Sequence, residues 1–174
     1  MSNKFEILMN QLDMPLDMRN SEAFLNAEIE KVLVHKVSRV WEFHFSFEDI
    51  LPIEIFRELQ NRLAQEFSKT GNQAIFEIHC QAPQVSDELL QAYYQLAFEE
   101  GPCASHGFKS LYQDLRVHLD EDKLLIEGPS TIDTEHFRKN HLPNLSRQLV
   151  KYGFPHLTCQ VQHSDELTQQ QAEN

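Results

Sequence analysis

The segment Val40–Phe47 alternates aromatic and mostly polar residues with the two-residue period of a β-strand. Its odd positions, from Trp41 to Phe47, are all aromatic, whereas its even positions include Glu42 and His44. Because successive side chains of a strand point to opposite faces, this pattern predicts one buried aromatic face and one polar face. Such a strand requires a sheet that is covered on one side, which indicates a two-layer α+β arrangement.

The flanking residues supply the other parts of a first module. Residues 29–36 are predicted to form a strand, and the turn at 36–39 pairs it with Val40–Phe47 as an antiparallel hairpin. A helix is predicted from Pro52 to the stop at Gly71. Its apolar face consists of Phe56, Leu59, Leu63 and Phe67. A short opening helix at residues 5–12, followed by an irregular stretch, and a third strand at 74–80 complete the order helix, strand, strand, helix, strand.

The second half of the chain repeats this order. Ser86 is a suitable cap for a helix, and two short strands follow, at residues 115–119 and 124–127. A helix capped by Asp133 is predicted to be split by Pro143, and a last strand covers 157–161. Val34-His35 recurs as Val117-His118, 83 positions later.

These patterns predict two tandem α+β modules, each a small two-layer α-β-β-α-β unit. The predicted boundaries are 1–82 for the first module, 86–163 for the second, and 164–174 for a disordered tail or linker stub.

Charge limits the functions that such a chain can have. The 174 residues carry a formal net charge of −12, which repels nucleic-acid phosphates and anionic lipids. Cys80, Cys103 and Cys159 are too widely spaced to bind zinc and are interpreted as buried or incidental thiols in a reducing compartment. The amino terminus lacks an apolar signal core, so we expect a soluble cytoplasmic protein.

No motif with a recognised catalytic spacing is present in the sequence. His44, His79 and His118 fall on the polar faces of predicted strands, and the H-E-x-x-H pattern does not occur. Residues 101–108 bring Cys103 close to Ser105 and His106, which are residue types of a nucleophile and base, but an inter-element loop is the preferred interpretation. The competing hypothesis is a hydrolase that uses His106 or Cys103. We predict no catalytic residue, no metal and no cofactor.

A second function class follows from the order of elements. In the second half this order is that of a type II KH module, which would bind single-stranded RNA or DNA. Residues 139–144 occupy the place of the G-x-x-G loop of such modules but contain no glycine. If nucleic acid does bind, the predicted basic surface consists of Lys31, Lys36, Arg39, Lys109, Arg116, Lys139 and Arg147.

The stretch of residues 27–47, together with Leu51-Pro52, Leu142-Pro143 and residues 152–155, resembles the amino-terminal region of PolC-type bacterial DNA polymerase III alpha subunits. The resemblance covers residues 1–163. It implies that the parent protein is a DNA-directed DNA polymerase with a 3′-5′ exonuclease, acting in chromosomal replication. It also implies that this region carries none of the catalytic carboxylates and contacts other replisome proteins, such as the clamp-loader tau subunit or other domains of the polymerase.

Overall fold

The computed structural model describes residues 3–100, 115–129 and 132–163. The chain divides into two compact units, one made of Met1–Gln84 and Lys151–Phe154, the other of Val85–Val150 and Pro155–Asn174. Each of the two described sheets has three strands and is accompanied by helices, which confirms the predicted α+β class. In the part of the chain that is described, no helix combines the length and apolar character needed to cross a membrane.

The first unit contains the predicted order of helix, strand, strand, helix and strand. Its elements are helix α1 (Asn3–Gln11), helix α2 (Leu16–Arg19), a 3-10 helix (Glu22–Phe24), strand β1 (Glu28–His35), strand β2 (Val40–Phe47), helix α3 (Ile53–Ser68) and strand β3 (Gln73–Cys80). The stretch before β1 was predicted to be irregular, but it contains α2 and the 3-10 helix. Ser21 starts the latter, because its side chain accepts a hydrogen bond from the backbone nitrogen of Ala23 at 3.1 Å.

The sheet of the first unit has the order β1-β2-β3. β1 and β2 are antiparallel and are joined by the turn at residues 36–39, as predicted, with Arg39 in the left-handed region at φ +58°. β2 and β3 are parallel. A parallel pair requires a crossover connection, and α3 provides it. The consequence is that β2 is central, while β1 and β3 form the two edges.

The aromatic face of β2 forms the centre of the first core, as its alternation predicts. Phe43, Phe45 and Phe47 are buried, and Trp41 lies against Phe67 of α3 with ring centroids 5.2 Å apart. α1 contributes Phe5, whose ring centroid is 5.9 Å from that of Phe45 and 5.7 Å from that of Phe47. Burial of these rings stabilises the attachment of the helices to one face of the sheet.

The second unit has the same topology. Its elements are helix α4 (Asp87–Glu99), strand β4 (Arg116–Asp120), strand β5 (Lys123–Gly128), helix α5 (Ile132–Asn140), helix α6 (Leu142–Lys151) and strand β6 (Thr158–His163). β5 is central, antiparallel to β4 and parallel to β6. The cap at Ser86 is confirmed, since its hydroxyl accepts from the backbone nitrogen of Leu89 at 3.2 Å.

Of the two predictions made for the helices that follow β5, the division near Pro143 is confirmed and the cap at Asp133 is wrong. The helical region is divided near Pro143 because proline fits the first turn of a new helix but not a helix interior. Asp133 is not the cap of α5, because the helix begins at Ile132 and therefore includes Asp133 in its first turn.

Candidate functional site

The outer edge of β1 is one of the two edges of the sheet in the first unit. β1 pairs with β2 on one side only, and no described strand pairs with its other side. An edge strand presents backbone N–H and C=O groups that can pair with another chain. At eight residues, β1 is longer than the typical strand. It is therefore a candidate site for strand addition.

The second half of this edge has consecutive apolar side chains that are partly exposed. Leu33 is 40% exposed and Val34 is 46% exposed, Val32 is similar, and Val37 in the turn is fully exposed. A β-bulge between Ile29 and Lys31 and the charges of residues 28, 30 and 31 protect the first half of the edge from unwanted pairing, so the second half is the part open to an added strand. We define Val32, Leu33, Val34 and Val37, together with the backbone of β1, as the hairpin edge.

The register of the strands assigns these side chains to two faces. Val34 pairs with Trp41 and Val32 with Phe43, so both valines extend the layer of aromatic side chains toward solvent. Leu33 pairs with Glu42, which pairs in turn with Ile75 of β3, so Leu33 lies on the opposite, open face. An added strand could therefore bury apolar side chains on both faces.

The open face of this sheet holds the histidines that the alternation assigns to it. Nε2 of His44 lies 2.7 Å from Oε2 of Glu42, and its Nδ1 lies 3.7 Å from Oε2 of Glu77. The hydrogen bond with His44 lowers the pKa of the Glu42 carboxyl below its ordinary value. His79 is the more exposed of the two histidines and contacts Glu30 at 3.3 Å.

This arrangement favours the ionised form of Glu42, and no described cysteine or serine side chain contacts it. Within residues 3–100, 115–129 and 132–163, no group of three or more His, Cys, Asp or Glu side chains is arranged to hold a metal ion.

The described cysteines are poor nucleophiles. Burial, with a smaller contribution from the Asp49 carboxylate, raises the pKa of the Cys80 thiol to about 12. Burial also raises the pKa of Cys159. Since the thiolate is the reactive form, both side chains act as apolar groups in their units. Cys103, Ser105 and His106 lie outside the described residues, so the hydrolase hypothesis stays a prediction.

A cavity of about 640 Å³ opens on the surface of the first unit. Its lining residues are Ser21, Glu22, Ala23, Leu25, Glu48, Asp49, Ile50 and Pro52. The Asp49 carboxylate accepts hydrogen bonds from the backbone nitrogens of Ile50 and Gln84, both at 2.7 Å. Asp49 thus has a structural role, and the lining offers no histidine or cysteine to act with it.

The residues of the predicted basic surface are distributed over both units. Lys31 lies on β1, and Lys36 and Arg39 lie in the turn that follows it. Arg116, Lys139 and Arg147 lie on β4, α5 and α6, and Lys109 is outside the described residues. A common basic surface remains a prediction.

Two of these arginines hold the fold locally. Arg39 donates to the carbonyl of Thr70 at 3.3 Å, and Arg147 donates to Oδ1 of Asn144 at 2.7 Å.

Between α5 and α6 the chain contains His141 alone, so these helices are not joined by a four-residue loop of the kind that clamps a nucleic acid in KH modules. The alternation of β2 and the hairpin are both confirmed. The exposed edge of β1 could not be predicted from its residues, because a Val-Leu-Val run is equally typical of a buried strand.

Comparison with known proteins identifies the family. The family described as DNA polymerase III polC-type N-terminus I matches residues 4–78, and the family described as DNA polymerase III polC-type N-terminus II matches residues 92–174. No solved structure matches.

Several curated relatives are similar over nearly the whole chain. The DNA polymerase III PolC-type of Streptococcus sanguinis (strain SK36) is 94% identical over 174 residues, which is 100% of this chain. The PolC-type proteins of Streptococcus pneumoniae (strain ATCC BAA-255 / R6) and Streptococcus suis (strain 98HAH33) are 61% and 51% identical over 99% of it. The chain spans about 12% of the length of each of these relatives. The resemblance noted in the sequence is confirmed, and the chain belongs to the family of PolC-type DNA polymerase III amino-terminal regions.

Proposed function

We propose that this chain is a non-catalytic protein-interaction region of a PolC-type replicative DNA polymerase, and that it docks another replisome protein in the cytoplasm. The parent protein would be a DNA-directed DNA polymerase with 3′-5′ exonuclease activity, acting in chromosomal replication. The partner would be a protein such as the clamp-loader tau subunit or another domain of the polymerase. The names of the relatives support the replicative context, and the acidic composition favours a protein partner over DNA.

The observation that carries this proposal is the hairpin edge. Adding a strand to an exposed sheet edge is a common way to recognise an extended segment of another protein, because backbone hydrogen bonds supply affinity and alternate side chains supply specificity. Val32 and Val34 extend the aromatic layer of β2 without a cover, so an incoming strand would gain both backbone pairing and apolar burial.

Calorimetric titration against purified tau subunit and separately purified polymerase domains tests the proposal. We expect a partner with a Kd tighter than about 100 μM. The substitution Val34→Lys should weaken that binding at least about tenfold, because it replaces the apolar contact between Val34 and the neighbouring side chain of the added strand by an ammonium group. Val150→Lys is the matched control. Val150 is 42% exposed on α6 and is remote in sequence from the hairpin edge, and its substitution by lysine introduces the same charge. Its binding should stay within about twofold of the unsubstituted chain.

Two results would count against the proposal. One is the failure of every replisome component to bind more tightly than about 100 μM. The other is an equal loss of binding in both lysine variants, which would indicate a general charge effect instead of a contact at β1. A parallel titration with single-stranded DNA at about 50 mM and about 200 mM salt separates the alternative function, because phosphate contacts make binding steeply salt-dependent.

A further inference from the structure

Cationic side chains lie at both ends of the open half of β1. Lys31 lies at one end, beside the bulge, and Lys36 lies at the other end, in the turn that follows the strand. His35 and Arg39 are close to Lys36 in sequence, and all four side chains are exposed. Residues 31–39 contain no aspartate or glutamate. This basic segment is a local exception in a chain whose formal net charge is −12.

Neither lysine forms an ion pair within the part of the chain that the structure describes. The carboxylates near Lys31 are engaged by histidines. Glu30, its neighbour in sequence, lies 3.3 Å from Nδ1 of His79, and Glu42 on β2 lies 2.7 Å from Nε2 of His44. Of the charged side chains that lower the pKa of the Glu42 carboxyl, Lys31 has the smallest effect. The ammonium groups are therefore available to an anion from outside the chain.

Apolar side chains separate these two cations. Val32, Leu33 and Val34 follow one another between the two lysines, and each is at least 37% exposed. A lysine at a sheet edge opposes pairing with an uncharged apolar strand, because its ammonium group would lose water without gaining a partner. A strand that brings a carboxylate to the same position gains a favourable cross-strand pair instead. The edge thus discriminates between incoming strands by their charge.

From this pattern we infer that the hairpin edge binds an extended segment of another protein in which a short apolar centre is flanked by aspartate or glutamate residues. The inference rests on the proposed docking function and names the chemistry of the partner. The segment adds to β1 beside residues 32–35, and its apolar side chains pack against Val32, Leu33 and Val34. Its flanking carboxylates reach Lys31 at one end and Lys36 at the other.

The length of the strand sets the spacing of these carboxylates. At about 3.4 Å per residue, β1 spans about 14 Å from Lys31 to His35, so the flanking acids of the partner are about four or five residues apart. A segment flanked by lysines is repelled at both ends, and one without apolar residues gains no burial at the centre. Single-stranded DNA offers phosphates but no backbone amide groups to pair with the edge, so the lysines alone would hold it.

NMR titration of the isotope-labelled 174-residue chain with synthetic peptides tests the inference. The first peptide is Glu-Glu-Val-Leu-Val-Glu-Glu with blocked ends. In the second, lysines replace the glutamates, and in the third, serines replace the apolar residues. The first peptide should shift the amide signals of residues 31–37 with a Kd on the order of 0.1–1 mM, because a single strand edge buries little area and the peptide must be ordered. The other two should bind at least about fivefold more weakly.

Glutamine variants of the chain test the lysines themselves. Lys31→Gln and Lys36→Gln should each weaken binding of the first peptide about two- to threefold, and together about five- to tenfold. Lys123→Gln is the matched control, because Lys123 is an exposed lysine on β5 in the second unit. Its affinity should stay within about 1.5-fold of that of the unsubstituted chain. Circular dichroism melting checks that each variant is folded.

Several results would overturn the inference. One is the absence of shifts at residues 31–37 up to about 3 mM of the first peptide. Another is equal binding of the lysine peptide. A third is unchanged affinity in the double variant, which would show that the lysines only protect the edge. Equal binding of the serine peptide, or of oligothymidylate at about 50 mM salt, would identify a general anion site instead.

These failures are distinguishable from failure of the proposed function. If the peptides do not bind as expected but Val34→Lys still weakens binding to a replisome protein, the docking function stands and its partner has a different chemistry. If no replisome protein binds either, both proposals fail.

Discussion

Replacing Phe45 by alanine should strongly destabilise the first unit. The Phe45 ring is fully buried, and its centroid lies 5.7 Å from that of Phe43, 5.8 Å from that of Phe47 and 5.6 Å from that of Phe76. Removal of a buried phenyl ring costs about 3–5 kcal/mol in the free energy of unfolding, because both the apolar transfer energy and the neighbouring contacts are lost. With a urea m-value of about 1–1.5 kcal/mol/M for a small domain, the midpoint should fall by about 2–5 M.

Fluorescence of Trp41 provides the assay, because the chain has one tryptophan and that residue packs on α3 in the first unit. Phe45→Leu is a milder variant, expected to cost about 1–1.5 kcal/mol, and remains measurable if the alanine variant is unfolded without urea. Val37→Ala is the surface control and should change the unfolding free energy by less than about 0.5 kcal/mol. A loss below about 1 kcal/mol in Phe45→Ala would refute the assignment of Phe45 to the core.

Three further changes test local features. Ser86→Ala removes the acceptor for the backbone nitrogen of Leu89 and should cost about 1 kcal/mol in urea unfolding monitored by circular dichroism; no change would show that the cap is not energetically important. Gly71→Ala should cost about 1 kcal/mol in the same assay, because its φ is +71°, whereas a stabilised variant would contradict this backbone conformation. His44→Ala should raise the pKa of Glu42, measured by NMR titration, toward its ordinary value. Because the folded-state pKa of Glu42 is lowered, the stabilising contribution of this carboxylate is complete above the unfolded-state pKa and is lost as pH falls through the folded-state pKa. An unchanged Glu42 pKa in the variant would exclude the hydrogen bond with His44 as the cause of the lowered value.

Much of the fold follows from local sequence patterns. The alternation in Val40–Phe47 predicts both the bounds and the buried face of β2, because side chains on one face of a strand recur every second residue. Helix α3 is also predicted by its sequence, since Phe56, Leu59 and Leu63 recur at helical spacing and all are buried. These predictions succeed because one local period decides both the element and its orientation.

Strand neighbours could not be predicted in this way. The sequence shows that Gln73–Cys80 has one apolar face, but a strand with one apolar face can pair on either side of a hairpin. Its parallel pairing with β2 leaves β1 at the edge. The hairpin edge is therefore a consequence of tertiary topology, and no local signal distinguishes its valines from those of a central strand.

The two units share a topology but differ in the length and the side chains of their first strands, β1 and β4. An offset of 83 residues takes the start of β2 to the start of β5 and the end of β3 to the end of β6, so the units are built on one plan. β4 occupies the edge position in the second unit, yet it has five residues, buries Val117 and exposes Arg116 and Asp120. The same topology can thus be completed with a short edge that has charged ends. The architecture therefore does not require an edge strand of eight residues with three consecutive exposed apolar side chains, and this difference is what the proposed docking of a partner strand would account for.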